Sequence, residues 1–493
     1  MSDVVDTPPA RKHVLLQRYR RRKRLAMAAV LLALGGLTAS LSWWLLPLGL
    51  LLAWVIHEVA FADHLFYSPQ QDYLYRFPPD TRSVACTVEE GRLCLPASFD
   101  VADAAAATMF LKLHLRRTWL GYWFDPAVQI GDDCQTFERG VDGVRYLNLS
   151  SQGAQLRAGD LRLQGRFCRL AAQGELFVFA PRPAPARTLI VAPHADDAEL
   201  AAFGLYSTLA KEGEVSIVTL TQGEIEADHI RRLGGDMGLT QAQAARLKGR
   251  LRSWDSLAIP LWGGVPGTHC VQLGYYCLRL PEMRAAPDTP FASRESGDAD
   301  TRPVRRNNPF PLPGDRDGQP TWNNLLADLV ACFSHYRPQR ILMPHPELDP
   351  HADHVAAAQA VAEALRQLAA GDAWQPEEIF LYANHLHDND RWPMGAAGTG
   401  VPLPPALTPL PADALYCHPL DAAQQLDKAM ALRMQHDLQT PLPAKKRLRR
   451  VLQRLLLGRR WPATGEDEFL RKAVRRHEVF WVREMPRRPA ASE

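Results

Sequence analysis

The chain has 493 residues, a net charge of +3 and eight cysteines, none of them in a Cys-x-x-Cys pair. This length exceeds what one core normally supports, so more than one domain is expected. Residues 1–62 hold eight basic and three acidic side chains, and residues 441–493 hold fifteen basic and six acidic ones. The middle is therefore acidic, which excludes a nucleic-acid-binding core. The scattered cysteines favour reduced thiols over a disulfide framework.

The first predicted element is a membrane segment. Residues 25–61 are almost wholly apolar, with Glu58 as the only charged side chain. One helix of that length would extend about 55 Å, nearly twice the hydrocarbon core. Small and polar residues at 35–42, followed by Trp43 and Trp44, predict a helical hairpin of about 25–40 and 43–61. One tilted helix, a re-entrant hairpin and a cleaved signal peptide are alternatives.

The basic residues 1–24 set the expected orientation. Eight lysines and arginines precede the apolar segment, and the next basic residue is Arg76. By the positive-inside rule, the N-terminus of this expected bacterial inner-membrane protein is cytoplasmic. A hairpin then leaves the following domains in the cytoplasm, whereas a single span places them in the periplasm.

Two folded regions are expected after the membrane segment. Residues 70–182 contain short alternating runs separated by Gly and Asp, which predict a small β-sandwich-like accessory domain. It could contact carbohydrate or act as a spacer. Strand-like and helix-like runs alternate over 185–440, which predicts an α/β fold with a Rossmann-like, mostly parallel sheet. Residues 263–320 are rich in Pro, Gly, Asp and Arg, and we interpret them as a lid over the substrate.

Two polar clusters follow predicted strands of this sheet. His194-Ala-Asp-Asp197 comes after the apolar run 188–192, and His351-Ala-Asp-His354 comes after the run 340–344. Ligands bind at the carboxyl ends of parallel strands, so we expect the two clusters to share one pocket.

The residue types in these clusters suit a mononuclear metal site. Two imidazoles and one carboxylate are a common ligand set for catalytic zinc, and His194, Asp197 and His354 are the candidates. Ferrous iron is compatible with the same ligands. Bound zinc lowers the pKa of water to about 7.

The remaining residues of the clusters are candidates for catalysis. Asp196 is free to act as general base. His351, as an imidazolium, could stabilise an oxyanion or protonate a leaving amine, and Asp353 could orient it.

The clusters resemble the metal motifs of the LmbE/PIG-L-type zinc-dependent de-N-acetylases. Pro193-His-Ala-Asp-Asp-Ala-Glu199 resembles their HPDD(x)E motif and His351-Ala-Asp-His354 their HPDH motif, with weaker matches at Thr221-Gln-Gly-Glu224 and Tyr336-Arg-Pro-Gln339. The resemblance covers about 185–440. It implies the metal and catalytic roles given above. It also implies hydrolysis of the N-acetyl group of an amino sugar, typically N-acetylglucosamine linked to a lipid, inositol or another carrier.

This chain departs from the family pattern at a few positions. Alanine replaces the usual proline at Ala195 and Ala352, and Arg250 is followed by Ser253 where the family usually has an Arg-x-x-Glu pair. The candidate substrate contacts are Glu199, Glu224, Arg250 and His385.

The C-terminal residues 441–493 predict a basic amphipathic helix. Leucines and arginines alternate at helical intervals over 445–460, a pattern that favours an anionic phospholipid surface. An ordinary surface helix packed on the core is equally open, and no nucleic-acid partner is expected.

Taken with the motifs, these features predict a membrane-anchored deacetylase. The expected substrate is an N-acetylhexosamine of a membrane glycolipid or lipopolysaccharide. A deacetylase of a soluble amino-sugar conjugate and a non-catalytic glycolipid-binding scaffold are the alternatives.

Overall fold

The computed structural model describes residues 8–61, 69–97, 99, 107–228, 230, 238–371, 374–387, 389, 391–439, 443–457 and 468–485. Its α-helices are α1 (Pro8–Ser40), α2 (Leu45–Ile56), α3 (Gly153–Ala158), α4 (Asp197–Leu209), α5 (Gln241–Ala258), α6 (Leu280–Ala285), α7 (Arg302–Arg305), α8 (Trp322–Tyr336), α9 (Ala352–Gly371), α10 (Ala422–Met434), α11 (Ala444–Leu457) and α12 (Glu468–Ala473). Its strands are β1 (Arg82–Glu89), β2 (Arg92–Cys94), β3 (Thr108–Arg117), β4 (Ala127–Ile130), β5 (Asp133–Thr136), β6 (Asp142–Asn148), β7 (Leu163–Arg166), β8 (Cys168–Phe179), β9 (Arg187–Ala192), β10 (Glu214–Thr221), β11 (Cys270–Tyr275), β12 (Arg340–Pro344), β13 (Glu378–Tyr382), β14 (Ala414–Pro419) and β15 (His477–Glu484).

The N-terminal apolar segment forms two helices, α1 and α2, separated at residues 41–44. This break lies where the sequence predicts one. Helix α1 starts at Pro8 and not near residue 25, because the intervening Arg, Lys and Leu residues are good helix formers. By length and composition, Val14–Ser40 is long and apolar enough to cross a membrane, whereas Leu45–Val59 is shorter. Membrane insertion itself stays a prediction.

The helices of this pair pack closely. A Cβ atom on Gly49 of α2 would lie within 3.4 Å of three side-chain atoms of Leu34 of α1. The absence of a side chain at Gly49 therefore lets the two helices approach. Farther from the break, Lys23 of α1 and His57, which follows α2, line one groove between the helices. The two helices therefore run antiparallel.

Residues 82–179 form two antiparallel sheets. The five-stranded sheet has the order β2-β1-β8-β3-β6 and the three-stranded sheet the order β5-β4-β7. Side chains of both sheets, such as Leu111 and Val128, share one buried core, as in a small β-sandwich. The other face of the larger sheet contributes Phe110 and Tyr146 to the main core of the protein. This region therefore packs against the rest of the chain.

The main sheet has seven strands in the order β11-β10-β9-β12-β13-β15-β14. The five strands from β11 to β13 are parallel, and β15 runs antiparallel to both of its neighbours. This strand order agrees with the predicted Rossmann-like, mostly parallel sheet. The expected end of the fold at residue 440 is too early, because β15 lies between β13 and β14. Its buried residues Phe480, Trp481 and Val482 complete the core.

The predicted lid, residues 263–320, is built into the fold. It supplies the edge strand β11 and the short helices α6 and α7. Tyr275 donates a hydrogen bond to Asp328 (2.8 Å), and Arg305 forms an ion pair with the same carboxylate (2.9 Å). These buried polar contacts fix a segment whose composition alone suggested irregular structure. Tyr275 and Tyr276 are buried and are not free to stack on a sugar.

Helix α11 binds the end of the helical pair through an ion pair. Glu58 is 2% exposed, and Arg449 of α11 donates to it at 2.8 Å, while Lys445 lies 3.5 Å away. Leu448, Val451 and Leu455 remain exposed on α11. The apolar side of this helix is therefore not covered by the described core, in contrast to an ordinary surface helix.

We expect Arg449→Gln to release α11 from the helical pair. The substitution leaves the buried Glu58 carboxylate without its strongest donor, which costs about 2 kcal/mol. Amide exchange over residues 444–457 of the detergent-solubilised protein should rise roughly 30-fold. Arg454→Gln on the exposed side of the same helix is the matched control. Equal exchange in the two variants would contradict the role of the ion pair.

Candidate metal centre

The first cluster lies in the turn between β9 and α4, at the carboxyl edge of the main sheet. Thr221, at the end of the neighbouring strand β10, donates to the Pro193 carbonyl through both its backbone N–H (3.0 Å) and its hydroxyl (2.9 Å). Asp197 occupies the first turn of α4, where the helix dipole favours a negative charge. Strand pairing and helix start together fix the direction of the His194 and Asp197 side chains.

The second cluster lies directly beyond the adjacent strand, β12. Strands β9 and β12 are paired in parallel, with Leu342 opposite Ile190. His354 lies in the first turn of α9, which follows the turn after β12. The sheet therefore brings together the two segments that the sequence separates by about 150 residues, as predicted.

The three predicted ligands meet at one point. Asp197 Oδ2 lies 3.0 Å from His194 Nδ1 and 3.1 Å from His354 Nε2, and the two ring nitrogens are 3.3 Å apart. Ligands at about 2.0 Å around a tetrahedral zinc ion are separated by roughly 3.3 Å. His194, Asp197 and His354 are all buried. The donor types and their spacing fit a zinc-type cation.

A second set of polar groups orients these ligands. His194 Nε2 lies 3.2 Å from Asp353 Oδ2, and His354 Nδ1 lies 2.9 Å from Asp349 Oδ2. Both rings thus direct their other nitrogen at the common point, an arrangement typical of metal-binding histidines. Asn384 donates to the free oxygen of Asp197 at 2.8 Å. Sequence reasoning missed Asp349 and Asn384, because nothing in the sequence distinguishes them from other polar loop residues.

The electrostatics of the triangle favour an ionised Asp197. Burial raises the pKa of this carboxyl group, but the charge and hydrogen bonds of His354 and His194 outweigh burial and hold the pKa well below its ordinary value. Burial lowers the pKa of His354, yet Asp197 and Asp349 raise it to about 9. Metal ligation requires an ionised carboxylate and neutral imidazoles, so a cation bound here would displace the proton that the two carboxylates favour on the His354 ring.

Other possible metal donors lie around the two histidine rings. Among the described residues, three sets offer donor atoms within 4.8 Å of one another: His194, His351 and His354; His194, Cys277 and Asp353; and Asp197, His354 and His385. The His194 ring or the His354 ring belongs to every set. The metal centre is therefore a single cluster with several donors at its edge.

Asp196, the predicted base, lies beside this cluster and is bound by Arg252. The Arg252 guanidinium donates to Asp196 Oδ1 at 2.7 Å and also contacts Asp437. Lys248 forms a further ion pair with Asp437 at 2.8 Å. Burial lowers the pKa of Arg252, but Asp196 and Asp437 raise it above its ordinary value. Arg252 therefore keeps its charge and holds the Asp196 carboxylate through a buried ion pair.

The arginine at this site is not the predicted one. Arg250 is exposed on α5, whereas Arg252, two positions later, is buried. Two residues correspond to about 200° of helix rotation, so the two side chains point in nearly opposite directions. Asp255, three positions after Arg252, accepts hydrogen bonds from the backbone and ring of His436. An arginine followed three residues later by an acid, as at Arg252 and Asp255, was the sequence signal that could have pointed to Arg252.

His351 lies at the open side of the cluster, half-buried. Its ring centroid is 4.9 Å from that of His194, and the His385 ring stacks on it at 5.1 Å. Burial and the neighbouring His194 and His354 lower the pKa of His351 to about 4. The expected imidazolium is therefore disfavoured. The Asp353 backbone N–H donates to His351 Nδ1 (3.3 Å), which places the proton of the neutral ring on Nε2.

The predicted acidic residues have different positions from those expected. The Asp353 carboxylate contacts His194 and the Leu278 N–H (2.7 Å), so it orients a ligand, while only its backbone orients His351. Glu199 and Glu224 are each 1% exposed. Their carboxylates support the walls of the site and do not line its opening. Of the four candidate substrate contacts, His385 alone lies beside the cluster with partial exposure.

Residues 189–365 match the family model described as "PIG-L: GlcNAc-PI de-N-acetylase". The domain that holds this site belongs to the PIG-L family. No curated protein matches the chain.

The chain is also similar to solved structures. An N,N'-diacetylchitobiose deacetylase from Pyrococcus horikoshii is 16% identical (TM-score 0.33; 61% of this chain and 84% of that chain). The A40926 pseudoaglycone deacetylase Dbv21 is also 16% identical (TM-score 0.32; 63% and 100%). The zinc-inhibited form of teicoplanin deacetylase Orf2 is 13% identical (TM-score 0.30; 61% and 98%).

We expect Asp349→Asn to weaken metal binding by the PIG-L domain. The substitution removes the carboxylate charge next to His354, and losses of such partners typically lower metal affinity by about 10–100-fold. Competition with a chromophoric chelator measures this change. Asp288→Asn, at an exposed position, is the control. Unchanged affinity in Asp349→Asn would show that His354 does not contribute to metal binding through this orientation.

Glu199 is expected to tolerate glutamine but not alanine. Burial raises the pKa of Glu199 to about 8, so its side chain is neutral near pH 7, as an amide would be. It accepts hydrogen bonds from Tyr206 and Gln435, both at 3.1 Å. Glu199→Ala leaves both donors unsatisfied and should cost about 2–3 kcal/mol, whereas Glu199→Gln should cost under about 1 kcal/mol. Thermal unfolding of the two variants checks this order, and equal losses would contradict it.

Proposed function

We propose that this protein is a metal-dependent hydrolase that removes the N-acetyl group from an N-acetylhexosamine, of the N-acetylglucosamine type. The substrate is a membrane-associated glycoconjugate, such as lipopolysaccharide or a lipid-linked sugar. The proposed metal is zinc, with ferrous iron as the compatible alternative. The observation that carries the proposal is the triangle of His194, Asp197 and His354 with the carboxylate of Asp196 beside it.

The metal would be held by His194, Asp197 and His354. When bound, it supplies a positive charge that polarises an amide carbonyl and lowers the pKa of water. Asp196 accepts the proton of the attacking water molecule. Arg252 holds the Asp196 carboxylate in place at 2.7 Å. The same carboxyl group can then return the proton to the amide nitrogen.

His351 adds a further polar group beside the triangle, 4.9 Å from the His194 ring between ring centroids. Its Nδ1 accepts the Asp353 N–H, so the neutral ring presents an Nε2–H donor. A fixed donor of this kind stabilises the negative charge that develops on the carbonyl oxygen. Its role in the proposed reaction is therefore to bind the oxyanion, and no imidazolium is required.

A membrane substrate is supported by the path from the site to the helical pair. Asp437 contacts Arg252 at the site. Helix α11 starts seven residues later, at Ala444, and is bound to Glu58 through Arg449. The exposed leucines and arginines of α11 suit an anionic lipid surface. We therefore propose an inner-membrane enzyme with its catalytic domain in the cytoplasm and its site close to the headgroups.

The test is acetate release by the full-length, metal-loaded protein from an extract of envelope glycolipid and lipopolysaccharide. We expect release by the wild type and a loss of at least about 100-fold in Asp196→Asn, which lacks the base. The metal content of the variant should be unchanged, because Asp196 is not one of the three proposed ligands. Asp288→Asn again serves as a matched acid-to-amide control on the surface.

Three results would contradict parts of the proposal. No acetate from the wild type at full metal loading would overturn deacetylation of this substrate class. Equal release by wild type and Asp196→Asn would remove Asp196 as the base. Equally fast release from a soluble, lipid-free N-acetylhexosamine oligosaccharide would show that the membrane carrier is not recognised.

A further inference from the structure

A second exposed apolar surface lies on the five-stranded sheet, far along the chain from α11. It is the loop after β3, residues 118–124, here named the aromatic loop. Trp119 is 74% exposed, Tyr122 54% and Trp123 51%, and Leu120 and Phe124 are also exposed. Soluble surfaces rarely present so many large apolar side chains together unless they bind a partner.

The backbone of the aromatic loop is fixed. Thr118 N–H donates to the Phe167 carbonyl (2.9 Å), and Gly140 N–H donates to the Gly121 carbonyl (2.9 Å). Phe124 stacks on Phe167 with ring centroids 5.2 Å apart. A Cβ atom on Gly121 would collide with the Phe167 carbonyl, which explains the glycine. The aromatic side chains are therefore exposed by a well-determined turn, and their exposure does not result from a loose loop.

Three arginines lie close to this loop along the strands that lead to it and to Phe167. Arg116 and Arg169 are exposed and lie directly opposite each other on β3 and β8, although like charges at such positions destabilise a sheet. Arg166 is exposed next to Phe167. Within the described ranges, none of the three forms an ion pair with an acidic side chain. The partner of the surface is therefore expected to be anionic as well as apolar.

The position of the loop in the fold favours one kind of anionic partner. The Pro69 carbonyl accepts the Asp142 N–H (2.9 Å). Asp142 lies opposite Arg116 in the strand register, at the end of the sheet that carries the loop. The side chains of Pro69 and Arg117 both lie within 4.0 Å of the Cβ position of Gly140. Eight chain steps separate Pro69 from Phe61 at the end of the helical pair, which span at most about 28 Å. The aromatic loop thus lies near the place where the chain leaves the proposed membrane segment.

We propose that the aromatic loop and these three arginines bind the headgroup region of a bilayer containing anionic phospholipid. This surface would be a second interfacial contact of the protein, in addition to α11. Tryptophan and tyrosine are enriched at this depth of a bilayer. Arginines near an anionic surface strengthen such a contact. Stacking on a soluble glycan is the competing use of such aromatic side chains. This inference rests on the membrane location proposed above.

The test uses the full chain in nanodiscs of phosphatidylcholine with or without phosphatidylglycerol. A photo-crosslinking benzoylphenylalanine replaces Trp119, and mass spectrometry identifies the adduct. Ser151 is the control position, because it is exposed and follows Asn148 at the opposite end of β6, roughly 20 Å away along the strand. We expect a phospholipid adduct at 119, several-fold more than at 151. Combining Arg116→Gln, Arg166→Gln and Arg169→Gln should lower the phosphatidylglycerol adduct at least about fivefold.

Two outcomes would overturn the inference. One is equal or absent lipid adducts at 119 and 151. The other is suppression of the adduct at 119 by a soluble glycan, which would identify the loop as a glycan-binding surface. Acetate release by the same preparation is measured separately, since the loop is not part of the catalytic site. A failure of the membrane contact is thereby distinguishable from a failure of the proposed reaction.

Discussion

The parallel pairing of β9 with β12 is the contact on which the rest of the site depends. Both strands are fully buried along the paired stretch, and Leu342 lies opposite Ile190. A shift of this register by one residue would reverse the side chains of β12 between the faces of the sheet and displace the turn that leads to His354. The hydrophobic core thus determines the geometry of a polar cluster whose two halves are about 150 residues apart in the chain.

That geometry concentrates charge inside the protein. Asp196, Asp197, Asp349 and Asp353 are at most 9% exposed, and burying carboxylates is costly unless cations or hydrogen bonds compensate. Arg252 compensates Asp196, and histidine rings contact the other three. A divalent cation in the triangle would offset the remaining negative charge. The same ion that would polarise a substrate would then also stabilise the fold around it, so metal affinity and stability are coupled.

The sequence alone was sufficient to predict the elements whose signals lie within a short stretch of chain. The apolar runs 188–192 and 340–344 nearly match β9 and β12, and the motifs that follow them are brought together as expected. Long-range features were not predictable in the same way. The strand at 477–484 and the order in 263–320 depend on partners distant in the chain. The choice of Arg252 over Arg250 depends on the rotation of α5, which is set by packing against the sheet. The buried positions of Glu199 and Glu224 depend on contacts with Gln435 and Ser293, which are distant in the chain.

The central position of β15 has a consequence for how the protein is made. A ribosome completes both metal motifs long before it reaches residue 477, and until then β13 and β14 each lack their shared neighbour. Such open strand edges pair readily with other chains, and domains of this size tend to aggregate from incomplete intermediates. The nascent chain therefore passes through a long interval in which it has both candidate metal motifs but not its final sheet. Early capture of the N-terminal helices by a membrane would keep neighbouring nascent chains apart during that interval.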